Sequence, residues 1–266
     1  MSDQSRRDHL RAHLRTSRIA GDVRTTREDN LLKYAMLAGR VPHATFGLEL
    51  AGRWHLRDIL DLMVARVGVS DDPSHLRGVD RINPDLTLDG LDRMAEYLAR
   101  AGRDRSRVLL ATGHPAGLLV VHLAVAAALT RAGATVMTPG AGFSYTSMTR
   151  HGPSRRHVRY VADVAVLSSG GGLHHTHSAE PMRGLLAALA ESGEAPPDLV
   201  LADHGWAGAA GQAGITTVGF ADCNDPALFV GEAEGKVAVS VPLDDNVPPH
   251  LYTPMTAYLL AAAGLE

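Results

Sequence analysis

Six stretches in the second half of the chain share one layout: a short apolar run, then an abrupt cluster of Gly, Pro, His, Asp or Ser. RVLLATGHPAG breaks at Gly113-His114-Pro115, and ATVMTPGAGFS at Thr138-Pro139-Gly140. YVADVAVLSSGGGLHHTH runs to Ser168 and then meets His174, His175 and His177. PDLVLADHGWAG closes on Asp203-His204-Gly205, TTVGFADCND on Asp222, Asn224 and Asp225, and VAVSVPLDDN on Asp244, Asp245 and Asn246. Helix-like segments at 116–132, 181–192, 206–213 and 254–263 alternate with these runs, which is the pattern of βαβ units. In such a sheet the carboxyl ends of the strands share one edge, and ligands bind in the crevice there. The layout therefore predicts an α/β fold, a three-layer sandwich with a mainly parallel sheet. It also predicts that polar loops far apart in sequence converge on one site.

Upstream the period is helical. Leu10, Leu14 and Ile19 recur at helical spacing, and Thr26 with Asp29 resembles a capping box opening a helix that runs to Gly39. Leu56, Ile59, Leu60, Met63 and Val64 form an amphipathic set, 71–87 reads as loop, and a further helix spans 88–101. The expected organisation is a helical N-terminal region, 1–104, packed on an α/β core, 105–266, that carries the site.

Composition narrows the function classes. Apolar residues are 45% of the chain and charged residues 21%, with a net charge of −3, so no global field draws nucleic acid or membrane. The arginine-rich N-terminus lacks an apolar signal core, and the single cysteine, Cys223, suits a reducing compartment; both predict a cytoplasmic protein. The arginines of 6–27 lack the aromatic interleaving of a nucleic-acid patch. A homodimer is compatible with the sequence, although no interface can be read from it.

The candidate site residues come from the six breaks. Gly113, at a strand-to-helix turn, would offer backbone N–H to a phosphate oxygen, with His114 as a titratable donor; the plain alternative is a tight turn. Alternating His175 and His177 can point two imidazoles one way, and Ser178 follows at a helix start; the alternative is a solvated His-rich loop. Asp203 ends an apolar strand, with His204 as a spare acid or base and Gly205 permitting close approach of a ligand; Asp203 could instead cap the next helix. Asp203, Asp222 and Asp245 could ligate Mg²⁺ or Mn²⁺ through oxygen, or Asp222 and Asp245 could form turns. For Asp225 the turn reading is preferred because Pro226 follows, and Glu232 and Glu234 read as a solvated turn. No G-x-S-x-G elbow is present, and the cysteines of a structural zinc site are missing.

At these motifs the chain resembles a family of actinobacterial proteins known simply as phosphatases. The resemblance spans nearly the whole length: RIAGDVRTTREDNLLKY with Asn30 and Tyr34, TGHPAGLL, His-Thr-His-Ser with Pro181, DHGWAGAAGQAGI, CNDPALFVGEAEGKVAVSVPLDDNV, and Tyr-x-Pro-x-Thr-x-Tyr from Tyr252 to Tyr258. Cys223-Asn224 departs from the polar pair expected after Asp222, which leaves Asn224 without an assigned role. A looser similarity links the chain to D-glutamate cyclase-type proteins. The family resemblance implies a phosphoester hydrolase acting on a small metabolite such as a sugar or nucleoside phosphate, and does not say which atoms attack. The residues at the six breaks supply the rest of the expectation: metal-assisted hydrolysis of a phosphomonoester with His114, His175, His177, Asp203 and His204 as the catalytic set and substrate held at Gly113, Ser178 and Gly205. A lyase or cyclase on a small carboxylate, and a non-catalytic nucleotide or small-ligand sensor, are the other readings.

Overall fold

The computed structural model describes residues 3–149 and 152–266. In chain order the elements are α1 (Asp3–Thr16), β1 (Gly21–Thr26), α2 (Arg27–Ala38), α3 (Leu56–Val67), β2 (Val79–Ile82), α4 (Pro84–Arg103), β3 (Arg107–Thr112), α5 (Leu119–Arg131) and β4 (Thr135–Val136). There follow β5 (Ser144–Thr149), β6 (Gly152–Val161), β7 (Val164–Ser169), β8 (Gly172–Leu173), α6 (Glu180–Ser192), β9 (Leu199–Asp203), α7 (His204–Gln212), β10 (Thr217–Ala221), α8 (Pro226–Ala233), β11 (Val239–Pro242) and α9 (Thr253–Ala262).

A nine-stranded sheet orders its strands β11-β10-β9-β3-β7-β6-β5, with β4 on β3 and β8 on β7. The six apolar runs are β3, β4, β7, β9, β10 and β11, and all six point the same way. Strands buried on both faces need no alternation, so β9 and β10, buried at every position, read as continuous apolar runs. The sheet is nevertheless mixed. β5, β6 and β8 pair antiparallel and extend it beyond β7. The run from Tyr160 to Ser169, expected as one strand, is two strands folded back at Ala162, which sits at φ 47.

The N-terminal region is helical with one addition: a two-stranded antiparallel sheet of β1 and β2. β2 lies inside the stretch read as loop, because four residues of half-exposed VDRI carry too little pattern to register as a strand. Thr26 caps α2 by accepting from the Asp29 N–H at 3.4 Å. Asn83 caps α4 with Pro84 as its first residue, so that helix begins four residues ahead of expectation. One apolar cluster runs from Leu10 through Met63 and Leu98 to Leu265 and joins these helices to the sheet. No helix among the described residues is long and apolar enough to cross a membrane.

Candidate active site at the carboxyl edge of the sheet

The carboxyl ends of β3, β9, β10 and β11 deliver His114, Asp203, His204, Asp222, Asp225, Asp244 and Asp245 to one place, nearly all of them sealed from solvent. His175 and His177 arrive on the extended segment between β8 and α6. Their rings join the group: His175 stacks on His114 at 4.6 Å between centroids, and His177 stacks on His204 at 4.7 Å. His175 is the exposed member, while His114 and His204 lie beneath it.

Asp203 organises the floor. Its Oδ1 lies 2.6 Å from His204 Nδ1 and accepts the Gly113 N–H at 2.6 Å, while Oδ2 faces His122 Nε2 at 3.7 Å. Although Asp203 occupies the cap position of α7, its side chain makes no capping bond; the carboxylate serves the site instead. Burial would raise its pKa, but His204 and His122 hold it down at about 2. The Gly113 N–H is thus taken by Asp203 and is not free for a ligand. Nor does a helix begin at Gly113: α5 starts at Leu119, after a turn closed by Leu118 N–H on the His114 carbonyl.

His204 follows directly at φ 50, a left-handed conformation that non-glycine residues seldom adopt, at the junction of β9 and α7. Its Nε2 lies 3.3 Å from Asp225 Oδ2 and 3.4 Å from Asp245 Oδ2. Burial alone would depress its pKa; Asp225 and Asp203 outweigh that and carry it well above the usual histidine value. The neighbouring imidazoles go the other way. Burial, then the charge of His204, pushes His175 and His177 down to about 4. His114 Nδ1 sits 2.9 Å from Asp245 Oδ1 without alignment for a hydrogen bond; burial opposes its charge, but Asp245 raises its pKa overall.

Two glycines let backbone approach where a side chain would not fit. A β-carbon at Gly113 would overlap the Thr176 carbonyl oxygen, and one at Gly205 would overlap the His177 and Ser178 backbone. Gly205 therefore lies inside α7 and clamps the histidine segment rather than facing a ligand. Ser178 is in a turn: its N–H donates to Thr176 Oγ1, and its own Oγ accepts from the Glu180 N–H.

A second pole is carboxylate only. Asp222, Asp244 and Asp245 bring oxygens within 4.8 Å of one another. Thr25 Oγ1 and the Cys223 N–H donate to Asp222, and the Arg24 and Asn246 N–H groups donate to Asp244. Burial, then Asp245 and Asp244, pushes Asp222 well above the carboxylate range, and burial also raises Asp244. Two mixed sets, His114/His175/His204 and His177/His204/Asp225, likewise have the spacing to hold a metal ion. Asp203 belongs to none of the three.

Several contributors carried no signal in the sequence or were read otherwise. Asp225, assigned to a turn, is buried against His204; the Asp-x-x-Asp spacing at the end of β10 was the available clue. Asp244 joins its neighbour in the acidic cluster. Phe46, at φ 53, sets its ring 5.2 Å from His177 and 5.5 Å from His204. His122 comes from the first turn of α5. Asn224 Nδ2 donates to Asp29 at 2.6 Å, so it ties the β10 loop to α2. Glu232 and Glu234 are not in a solvated turn: Glu232 pairs with Arg93 at 2.6 Å, and Glu234 accepts from the Ala51 and Gly52 N–H groups and the Trp54 indole. Beside His177, a cleft of about 570 Å³ opens between residues 42–49 and the start of α6, lined by His43, Glu49, Ser178, Glu180 and Arg183 among others.

The family model described as Phosphatase matches residues 5–266. Phosphatase SCO2771 of Streptomyces coelicolor is 52% identical over 262 residues, covering 98% of this chain and 97% of that protein. Both similarities run through every element that supplies the site.

Proposed function

The chain belongs to the Phosphatase family, and from that premise we propose that it hydrolyses a phosphomonoester of a small metabolite at the carboxyl edge of its sheet, with divalent-metal assistance. The observation that carries this reading is the contrast in partners among neighbouring imidazoles. His204 Nε2 lies 3.3 Å from Asp225 and 3.4 Å from Asp245, whereas His175 and His177, in ring contact with His204, have no carboxylate paired to them among the described residues. Against burial, Asp225 and Asp203 raise the pKa of His204, and burial with the charge of His204 lowers those of the other two. Groups whose surroundings drive their pKa values apart divide acid from base roles.

In this scheme His204 Nε2–H donates a proton to the oxygen leaving phosphorus. Asp203, through His204 Nδ1, fixes the ring and stabilises its charge, so it acts as a positioning residue and not as a ligand. His175 and His177 present lone pairs to water or to a cation. His114, beside Asp245, orients a phosphoryl oxygen. The cleft of about 570 Å³ next to His177 takes the alcohol part of the ester, a size suited to a small metabolite. Ser178, on the wall of that cleft, contacts it.

The residues fit a hard divalent cation. Asp222, Asp244 and Asp245 crowd together buried, with neutral donors on Asp222 and Asp244 and no Lys or Arg side chain paired with any of the three among the described residues. Mg²⁺ or Mn²⁺ held there would neutralise phosphoryl charge and acidify a bound water.

The test is release of inorganic phosphate from a panel of sugar, polyol and nucleoside monophosphates, with Mg²⁺ or Mn²⁺ and with EDTA. Metal-dependent release is expected. Absence of release from every ester overturns the reading, and full activity in EDTA removes the cation from it.

A further inference from the structure

The acids and imidazoles at the carboxyl edge fall into two groups by what holds them. Asp222 and Asp244 each accept hydrogen bonds from two neutral donors, and Asp203 is taken by the Gly113 N–H and by His204 Nδ1. Asp225 differs. It is 5% exposed, and among the described residues its carboxylate pairs only with His204 Nε2, which stands off at 3.3 Å. The same nitrogen keeps 3.4 Å from Asp245, although the other side of the ring is gripped at 2.6 Å. The His177 ring, stacked on His204, pairs with no carboxylate and makes no hydrogen bond among the described residues.

These separations are those of ligands around an ion. Bonds of about 2.0–2.2 Å to a tetrahedral Zn²⁺ set neighbouring N and O donors about 3.3–3.6 Å apart. His204 Nε2 and Asp225 Oδ2 already stand so, and a ring nitrogen of His177 lies within 4.8 Å of the donor atoms of both. The set is braced from behind, as metal-binding histidines are: ionised Asp203 takes the Nδ1–H, which leaves Nε2 as the atom turned to Asp225. Gly205, against the His177 carbonyl, keeps the backbones of the two histidines together. Donor chemistry separates this set from the carboxylate cluster. Two imidazoles and one carboxylate suit Zn²⁺ and need no cysteine, whereas three carboxylates suit Mg²⁺ or Mn²⁺. The other mixed set, His114/His175/His204, contains no carboxylate, and its His175 is exposed.

We propose that His177, His204 and Asp225 bind Zn²⁺ as a second metal site, and that zinc there switches the enzyme off by occupying His204 Nε2. This rests on the phosphatase reading above and adds its regulation. In that scheme Nε2 carries the proton for the leaving oxygen, and a nitrogen bonded to zinc has no proton to give. Mg²⁺ in the carboxylate cluster supports turnover; zinc on the imidazoles stops it.

Co²⁺ substitutes for Zn²⁺ in such sites and reports its surroundings through visible d–d bands, intense for four-coordination and weak for six. Titrating the metal-free protein with Co²⁺ in excess Mg²⁺ should give intense bands at about one equivalent, abolished by an equal amount of Zn²⁺. His177→Gln and Asp225→Asn should each weaken cobalt and zinc binding by on the order of tenfold or more, and either variant suffices if the other does not fold. Asp222→Asn should leave both within about twofold, since it belongs to the other cluster. In excess Mg²⁺, the zinc concentration that halves phosphate release by the wild type should match the zinc affinity found by cobalt competition. Weak six-coordinate bands alone, or binding that Asp222→Asn abolishes and the other two variants spare, overturns the site. Release that persists or rises with zinc bound overturns the switch. If no ester is hydrolysed but the tenfold losses hold, the site stands and only the phosphatase reading falls.

Discussion

The two ends of the same strands are built on opposite principles. Where β3, β9, β10 and β11 begin, a hollow of about 720 Å³ is lined by Arg100, Asp104, Ser106, Asp198, Thr217 and Lys236 among others. Asp198, one of its two acids, is satisfied: it accepts the Arg107 N–H at 2.8 Å and pairs with the guanidinium at 3.2 Å, both side chains more than a third exposed. Where the strands end, less open space holds far more conflict. Imidazoles and carboxylates are buried against each other, three carboxylates share one spot, and His204 sits in a left-handed backbone conformation. Buried charge with opposed pKa shifts marks function; the size of a hollow does not.

The contrast breaks most sharply at Asp203. Asp203→Asn keeps the shape but offers His204 Nδ1 an amide in place of a charge. By analogy with other His–Asp pairs, kcat should fall about 10²- to 10⁴-fold with KM little changed. Steady-state kinetics beside a thermal melt would check this, and a variant retaining a tenth of wild-type kcat would show that the pair does not carry the chemistry.

Next in size is Gly205→Ala. Its β-carbon would overlap the His177 carbonyl and the Ser178 backbone, so the helix and the histidine segment must part. Overpacking of this kind costs about 1–3 kcal/mol and should lower activity as well. Gly172→Ala is the control, since its new β-carbon meets nothing closer than the Ser169 carbonyl oxygen at 3.9 Å. Urea unfolding of both variants decides whether the carboxyl edge is as tightly fitted as the geometry says.

What could be read in advance follows from where each residue sits. Five of the six strands announced themselves because strands buried on both faces are uninterrupted apolar runs ending in abrupt polar breaks; the two-residue β4 is the partly exposed exception. His114, His175, His177, Asp203, His204, Asp222 and Asp245 stood at those breaks, and the fold brings all seven together. β5 and β6 stayed hidden because SYTSMT and GPSRRHVRYV show polar residues on both faces, which is the mark of an edge hairpin. Phe46 and Thr25 reach the site from the N-terminal region, and His122 from inside α5 rather than from a polar break, so only tertiary packing reveals them. Asp225 was visible but discounted, since Asp before Pro forms turns far more often than it pairs with histidine.

The satisfied edge should contribute stability and no chemistry, and Glu234 measures how much. At the end of α8, it accepts from the Ala51 and Gly52 N–H groups and the Trp54 indole. Burial opposes its charge, yet these donors lower its pKa to about 2. A carboxylate with a depressed folded pKa contributes stability present above its unfolded value, 4.5, and lost as pH falls through about 2. Glu234→Gln should therefore cost about 1.5–3 kcal/mol at pH 7. The gap from wild type should stay level down to about pH 5 and close below that, with kcat unchanged throughout. A gap that widens on acidification would reverse the sign assigned here.

The smallest effect belongs to Asp198, and it tests the comparison from the other side. Its pair with Arg107 is open to solvent, and its pKa is lowered chiefly by the Arg107 backbone N–H rather than by the guanidinium. An exposed pair of this kind is worth about 0–1 kcal/mol and weakens with salt. Asp198→Ala should shift the urea midpoint by no more than that, leave phosphate release untouched, and lose even the small shift in 1 M NaCl. If activity fell instead, the larger hollow at the amino edge would be part of the reaction, and burial of mismatched charge would no longer separate the two ends of the sheet.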